Sequence, residues 1–92
     1  MKNIYILYSC NGWKEYSSMS LVSATTSLNK LKIIIIQIIK DGDMEYKRGY
    51  DDYSVNEQIK LLNADWKING SDFVFDNIDY GYVDTVLDGE IQ

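Results

Sequence analysis

SLNKLKIIIIQIIKDG, residues 27–42, holds six isoleucines in the seven positions from Ile33 to Ile39, and its reading decides the fold. A run this rich in β-branched residues also fits a buried strand. Three features make it a helix. Thr26 and Ser27 are good N-caps, the periodic segment lasts about three turns or more, and Gly42 stands where a C-terminal glycine belongs. At 100° per residue, Leu28, Leu31, Ile34, Ile35, Ile38 and Ile39 fall within an arc of roughly 140°, a core-facing stripe. Isoleucine costs some helix propensity, so packing must hold this helix in place. Ile33 and Ile36 lie outside the arc, among Asn29, Gln37 and Lys40. They make a second apolar patch, covered either by another element of the chain or by a partner.

On the N-terminal side, Asn3 to Ser9 is rich in β-branched and aromatic residues on both faces, as in an interior strand. Asn11-Gly12 marks a turn into a loop through Ser17-Ser18, and a second strand runs from Met19 to Thr25. On the C-terminal side, Met44 to Tyr53 reads as a polar, tyrosine-rich connection. Ser54-Val55-Asn56-Glu57 is a capping box that opens a second helix to about Lys67, with Val55, Ile59, Leu62 and Trp66 on one face. Asn69-Gly70 breaks that helix. The remainder, with Phe73 and Phe75 and then Tyr80, Tyr82, Val83 and Val86, reads as two strands, and Gly81 marks a bulge or a close backbone approach. The expected architecture is a single α+β domain over 1–92. Its order is β-β-α-α-β-β, a four-stranded antiparallel sheet with both helices on one face.

Composition limits the chemistry. The chain has no histidine, no proline and one cysteine, with eight tyrosines and a net charge of −5. Cys10 therefore lacks a histidine base to make thiolate, and the serines have ready loop, strand or cap roles. Asp41, Asp43, Glu45, Asp51 and Asp52 form the densest carboxylate set, yet they match no calcium-loop spacing. The glycines stand singly at 12, 42, 49, 70, 81 and 89, so no phosphate-cradling loop is present. No catalytic site, metal or cofactor is expected. Leu7-Tyr8-Ser9-Cys10 has the look of a lipoprotein cleavage box, but the apolar run before it is far shorter than the roughly 7–15 residues of a signal core. A cytoplasmic protein without a membrane partner is expected.

The charge is uneven. Residues 1–64 hold eight basic and seven acidic residues, whereas residues 65–92 hold seven acidic residues against Lys67 alone. That last third repels nucleic acid directly and attracts a basic protein surface, or else it is simply a solvated face. A basic stripe of Lys30, Lys32, Lys40, Lys47 and Arg48 is the only candidate for nucleic-acid contact, and the overall charge opposes it.

Tyrosine combines large contact area, a hydrogen-bonding tip and few rotors, which suits interfaces. Tyr46, Tyr50 and Tyr53 sit with Asp51 and Asp52 in a polar connection where core burial is a poor explanation. Trp13 and Tyr16 occupy another loop. With Asp76, Asp79 and Asp84 of the acidic third, these are the expected partner-binding residues. The alternative is that the tyrosines merely cover a thin sheet.

Tyr5-Ile6-Leu7-Tyr8-Ser9-Cys10 with Trp13-Lys14, and Gly42-Asp43-Met44-Glu45-Tyr46, resemble segments of small uncharacterised proteins of AT-rich Gram-positive bacteria and their mobile elements. In size, acidity and lack of catalytic motifs the chain is similar to phage anti-defence proteins of the anti-CRISPR type. That resemblance implies a binder that occupies the basic groove of a nucleic-acid-handling enzyme, and it assigns no functional residue. The expected function is thus a non-enzymatic inhibitor or modulator of a larger protein with a basic surface. The alternative is a homo-oligomeric small-molecule or nucleotide sponge, a homodimer or larger, with Ile33 and Ile36 at the subunit contact and Lys47-Arg48 on the ligand.

Overall fold

The protein is described by a computed structural model covering residues 3–11, 13–46 and 52–87. Strand β1 (Asn3–Ser9) leads into a short 3₁₀ turn at Tyr16–Ser18, then β2 (Ser20–Thr25) and helix α1 (Leu28–Asp41). A two-residue strand β3 (Glu45–Tyr46) precedes helix α2 (Val55–Asn69) and a short helix α3 (Ser71–Asp76). The chain continues through β4 (Ile78–Asp79) into β5 (Gly81–Leu87).

The isoleucine run is helical, and its ends form as their residue types dictate. Ser27 Oγ accepts the Lys30 amide at 3.3 Å, and Gly42 closes the helix at φ 84°, a left-handed conformation that glycine adopts without a Cβ clash. Leu31, Ile35 and Ile39 are fully buried, and Leu28, Ile34 and Ile38 pack against the core beside them. The capping box of α2 is complete: Ser54 Oγ accepts the Glu57 amide and Glu57 Oε1 accepts the Ser54 amide, both at 3.2 Å. No described helix is long and apolar enough to cross a membrane.

The α+β class holds, but the single four-stranded sheet does not. One sheet has three antiparallel strands in the order β2-β1-β5, and a separate two-stranded ladder joins β3 to β4. The segment read as a strand through Phe73 and Phe75 is α3. Gly70, at φ 89°, turns the chain sharply out of α2, and the Asn77 side chain then closes α3 by donating to the Phe73 carbonyl at 2.8 Å. Phe73-Val74-Phe75 is a solid apolar triplet with no alternation, so its geometry is set by these flanking residues.

In β1, Leu7 is buried and Tyr5 packs on the Phe75 ring at 6.5 Å, so this face of the sheet meets the helices. Ile4, Ile6 and Tyr8 alternate with them and stand on the opposite face. In β5 the register places Val86, Asp84 and Tyr82 beside those three residues, in that order. In β2, Ala24 and Leu21 complete the row, with an irregularity in the β1–β2 pairing between Leu7 and Tyr8.

Gly81 is a close approach, as its isolated place among aromatics suggested. A Cβ there would lie 2.7 Å from Met44 Sδ, 2.9 Å from Met44 Cε and 3.0 Å from Ile78 Cγ2. Met44 is itself buried, so Gly81→Ala is expected to cost about 1–3 kcal/mol by overpacking. Urea denaturation checks this as a lowered midpoint with unchanged slope.

Candidate functional site

Residues 10, 11 and 13–19 belong to a loop whose shape is set by two short polar side chains. Asn11 Oδ1 accepts the amides of Trp13 at 3.2 Å and Glu15 at 3.1 Å. Ser18 Oγ accepts the Asn11 amide at 3.0 Å and donates to the Glu15 carbonyl at 2.7 Å. The base of the loop is tied to the start of β5, because the Cys10 amide donates to the Tyr80 carbonyl at 3.1 Å. This scaffold holds Trp13 and Tyr16 outward, 85% and 89% exposed, with their rings contributing nothing to the core.

The same end of the three-stranded sheet carries further tyrosines. Tyr80 is 45% exposed and Tyr82 39%. Tyr82 pairs across the ladder with Tyr8, their ring centroids 6.4 Å apart at an interplanar angle of 36°. Two clefts flank this cluster. One, of about 420 Å³, is lined by Tyr8, Lys14, Tyr16, Met19, Tyr82 and Asp84. The other, of about 520 Å³, is lined by Asn11, Trp13, Asp79 and Tyr80. Beyond them half-buried Ile4, Ile6 and Val86, with exposed Ala24 and Leu21, continue the apolar row along the sheet.

Backbone strain concentrates here too. The only non-glycine residues with positive φ among the described residues are Lys14, at 53°, and Tyr80, at 65°. A left-handed conformation costs a residue with a Cβ roughly 1–2 kcal/mol, and such outliers cluster at functional sites. Tyr80→Gly is therefore expected to hold or raise the melting temperature while weakening partner binding. Thermal unfolding and an affinity measurement on the same variant check the two halves separately.

Four residues expected at an interface, Trp13, Tyr16, Asp79 and Asp84, thus line these two clefts. Of the others, Tyr46 is a correction: it is completely buried, its hydroxyl donating to Asp65 Oδ2 at 2.6 Å and its amide donating to Gln58 Oε1 at 3.0 Å. The polar residues around it in sequence suggested a surface loop, but β3 threads it under α2. Asp65 is likewise 3% exposed, with Oδ1 accepting from Asn69 Nδ2 at 3.3 Å, so it leaves the acidic face. Tyr53 is half-buried on a hollow of α2 beside Glu57, Lys60, Leu61 and Ala64, and Asp52 is exposed just before it. Asp76 is exposed at the end of α3 and lines neither cleft. Tyr50 and Asp51 lie outside the described residues, as do Lys47 and Arg48. Of the two residues of the expected oligomer contact, Ile36 packs half-buried against the core and Ile33 is 67% exposed.

Two other expectations find physical detail. Burial pushes the Cys10 thiol above its ordinary range, and the Lys14 ammonium pulls it only partly back. Burial thus favours the thiol over the thiolate. From the basic stripe, Lys32 holds its ammonium 5.7 Å from the Trp66 ring centroid, in an internal cation–π contact. Tyr8, Tyr80 and Tyr82 were missed as site residues because each reads as an ordinary strand aromatic until the register is known. No known protein family, curated protein or solved structure matches this chain.

Proposed function

We propose that this chain is a non-enzymatic binding protein that docks on a larger protein with a basic surface and inhibits or modulates it. The observation that carries the reading is the exposure of Trp13, Tyr16, Tyr80 and Tyr82 on a tied loop and the adjoining strand end, where they line two clefts. Aromatics that a fold exposes on a pre-shaped scaffold supply contact area at little entropic cost, which is the make-up of interface anchors. Asp79 and Asp84 line the two clefts among them and give the surface its sign. With a net charge of −5, the favoured target is a nucleic-acid-handling enzyme, in keeping with the general likeness to anti-defence inhibitors.

Charge reversal tests the location. Asp79→Lys with Asp84→Lys is expected to weaken partner binding at least thirtyfold, an order-of-magnitude figure for charges covered at an interface (~2 kcal/mol or more). Asp76→Lys, outside both clefts, is expected to change affinity only slightly and in a salt-screened manner. Equal losses from both variants would make the acidity diffuse and remove the aromatic end from its central role.

Ile33 keeps a second reading in play, self-association through α1, since a 67% exposed isoleucine on a helix whose other isoleucines are partly or fully buried is a natural contact. Light scattering of Ile33→Asp against the native chain separates the two: self-association predicts a drop in mass, and docking through the sheet predicts none.

A further inference from the structure

The smaller of the two clefts combines three tyrosines with a single carboxylate, Asp84. Asp84 follows Tyr82 by two residues, so both side chains stand on the same face of β5, and Asp84 is registered opposite Ile6 with Val86 beyond it. The carboxylate thus sits in a row of apolar and aromatic side chains. Among the described residues no ion pair or side-chain hydrogen bond involves Asp84. Any partner that covers this face strips water from the carboxylate, and that loss is unfavourable unless the partner brings a cation with it. An apolar or acidic partner surface is therefore a poor match.

The surroundings narrow the cation further. Tyr8, Tyr16 and Tyr82 line the cleft, and aromatic rings attract a flat, weakly hydrated cation more effectively than a compact ammonium. A guanidinium stacks on a ring while its N–H groups reach a carboxylate in a two-pronged pair. We propose that this cleft receives an arginine side chain of the partner protein, its guanidinium paired with Asp84 and lying against the tyrosine rings. The inference rests on the reading of this end of the sheet as the docking surface, and it names the group that enters it. Lys14, the other charged residue of the cleft, faces the incoming guanidinium with like charge. Its ammonium therefore opposes entry and sets the sign of a diagnostic variant.

The test titrates isotope-labelled protein with blocked Gly-Arg-Gly peptide and with the same peptide carrying citrulline, a neutral isostere, while following backbone amide signals. The arginine peptide is expected to give saturable shifts at Tyr8, Tyr82 and Asp84, with citrulline at least about tenfold weaker. Asp84→Asn is expected to bring arginine down to the citrulline level. Lys14→Asn, whose side chain tolerates the left-handed backbone, is expected to tighten arginine about two- to threefold through lost repulsion. Equal binding of arginine and citrulline, absence of saturation, or weakening by Lys14→Asn overturns the proposal. Capture of the partner protein separates this failure from that of the docking reading. If Trp13→Ala abolishes capture and Asp84→Asn leaves it intact, the docking surface stands and the arginine site falls. If neither variant affects capture, both fall.

Discussion

Replacing Trp13 and Tyr16 together by alanine is expected to lower affinity for the partner at least about a hundredfold and to leave the fold unchanged. Each ring is almost wholly in solvent, so neither contributes to the core, and the loop is shaped by Asn11 and Ser18 rather than by the rings it carries. Buried aromatic anchors cost about 2 kcal/mol or more each when truncated, and every 1.4 kcal/mol is tenfold in affinity. The discriminating result pairs an affinity measurement with circular dichroism and thermal unfolding. Lost binding with an unshifted melting temperature places the anchors at these two residues. Unchanged affinity removes them from the interface.

The second large effect concerns stability, and it separates Tyr46 from the binding surface. Tyr46→Phe removes the donor to Asp65 Oδ2 and leaves a carboxyl oxygen buried between β3 and α2 with one partner fewer. A loss of about 2 kcal/mol is expected, or on the order of 10 °C in melting temperature for a chain of this size. Tyr46→Ala also empties ring-sized volume from the core, at about 3–5 kcal/mol, a large share of the total stability of about 5–15 kcal/mol expected of a small domain. A double-mutant cycle with Asp65→Asn is expected to show a coupling of about 1 kcal/mol or more. A Tyr46→Phe variant of native stability that fails to bind the partner would return this residue to the interface.

Much of the frame was legible because its signals are local. Ser27, Gly42, Ser54 and Glu57 each satisfy helix-end groups within four residues of themselves, and the stripe from Leu28 to Ile39 needs only the helical period to be seen. What escaped depended on tertiary placement. Phe73-Val74-Phe75 carries no period, and its fate rests on the turn at Gly70 and the closing bond from Asn77. Tyr46 looked wet because its sequence neighbours are polar, although a signal lay in α2. Gln58, Leu62, Asp65 and Asn69 recur at helical spacing, a polar stripe threaded through an apolar face that calls for buried donors and acceptors opposite. The aromatic end of the sheet was half visible. Trp13 and Tyr16 stand in an evident loop, but Tyr8 joins Tyr82 only through a register that no local pattern in either strand specifies.

We propose that this chain binds its partner through the aromatic end of the β2-β1-β5 sheet. Hydrogen exchange of the protein, alone and in complex with the partner it captures, tests that most directly. Added protection confined to residues 8–19 and 79–84, with α1 exchanging as in the free protein, is the predicted result. Protection centred on α1 around Ile33, with the 11–18 loop unchanged, would contradict it.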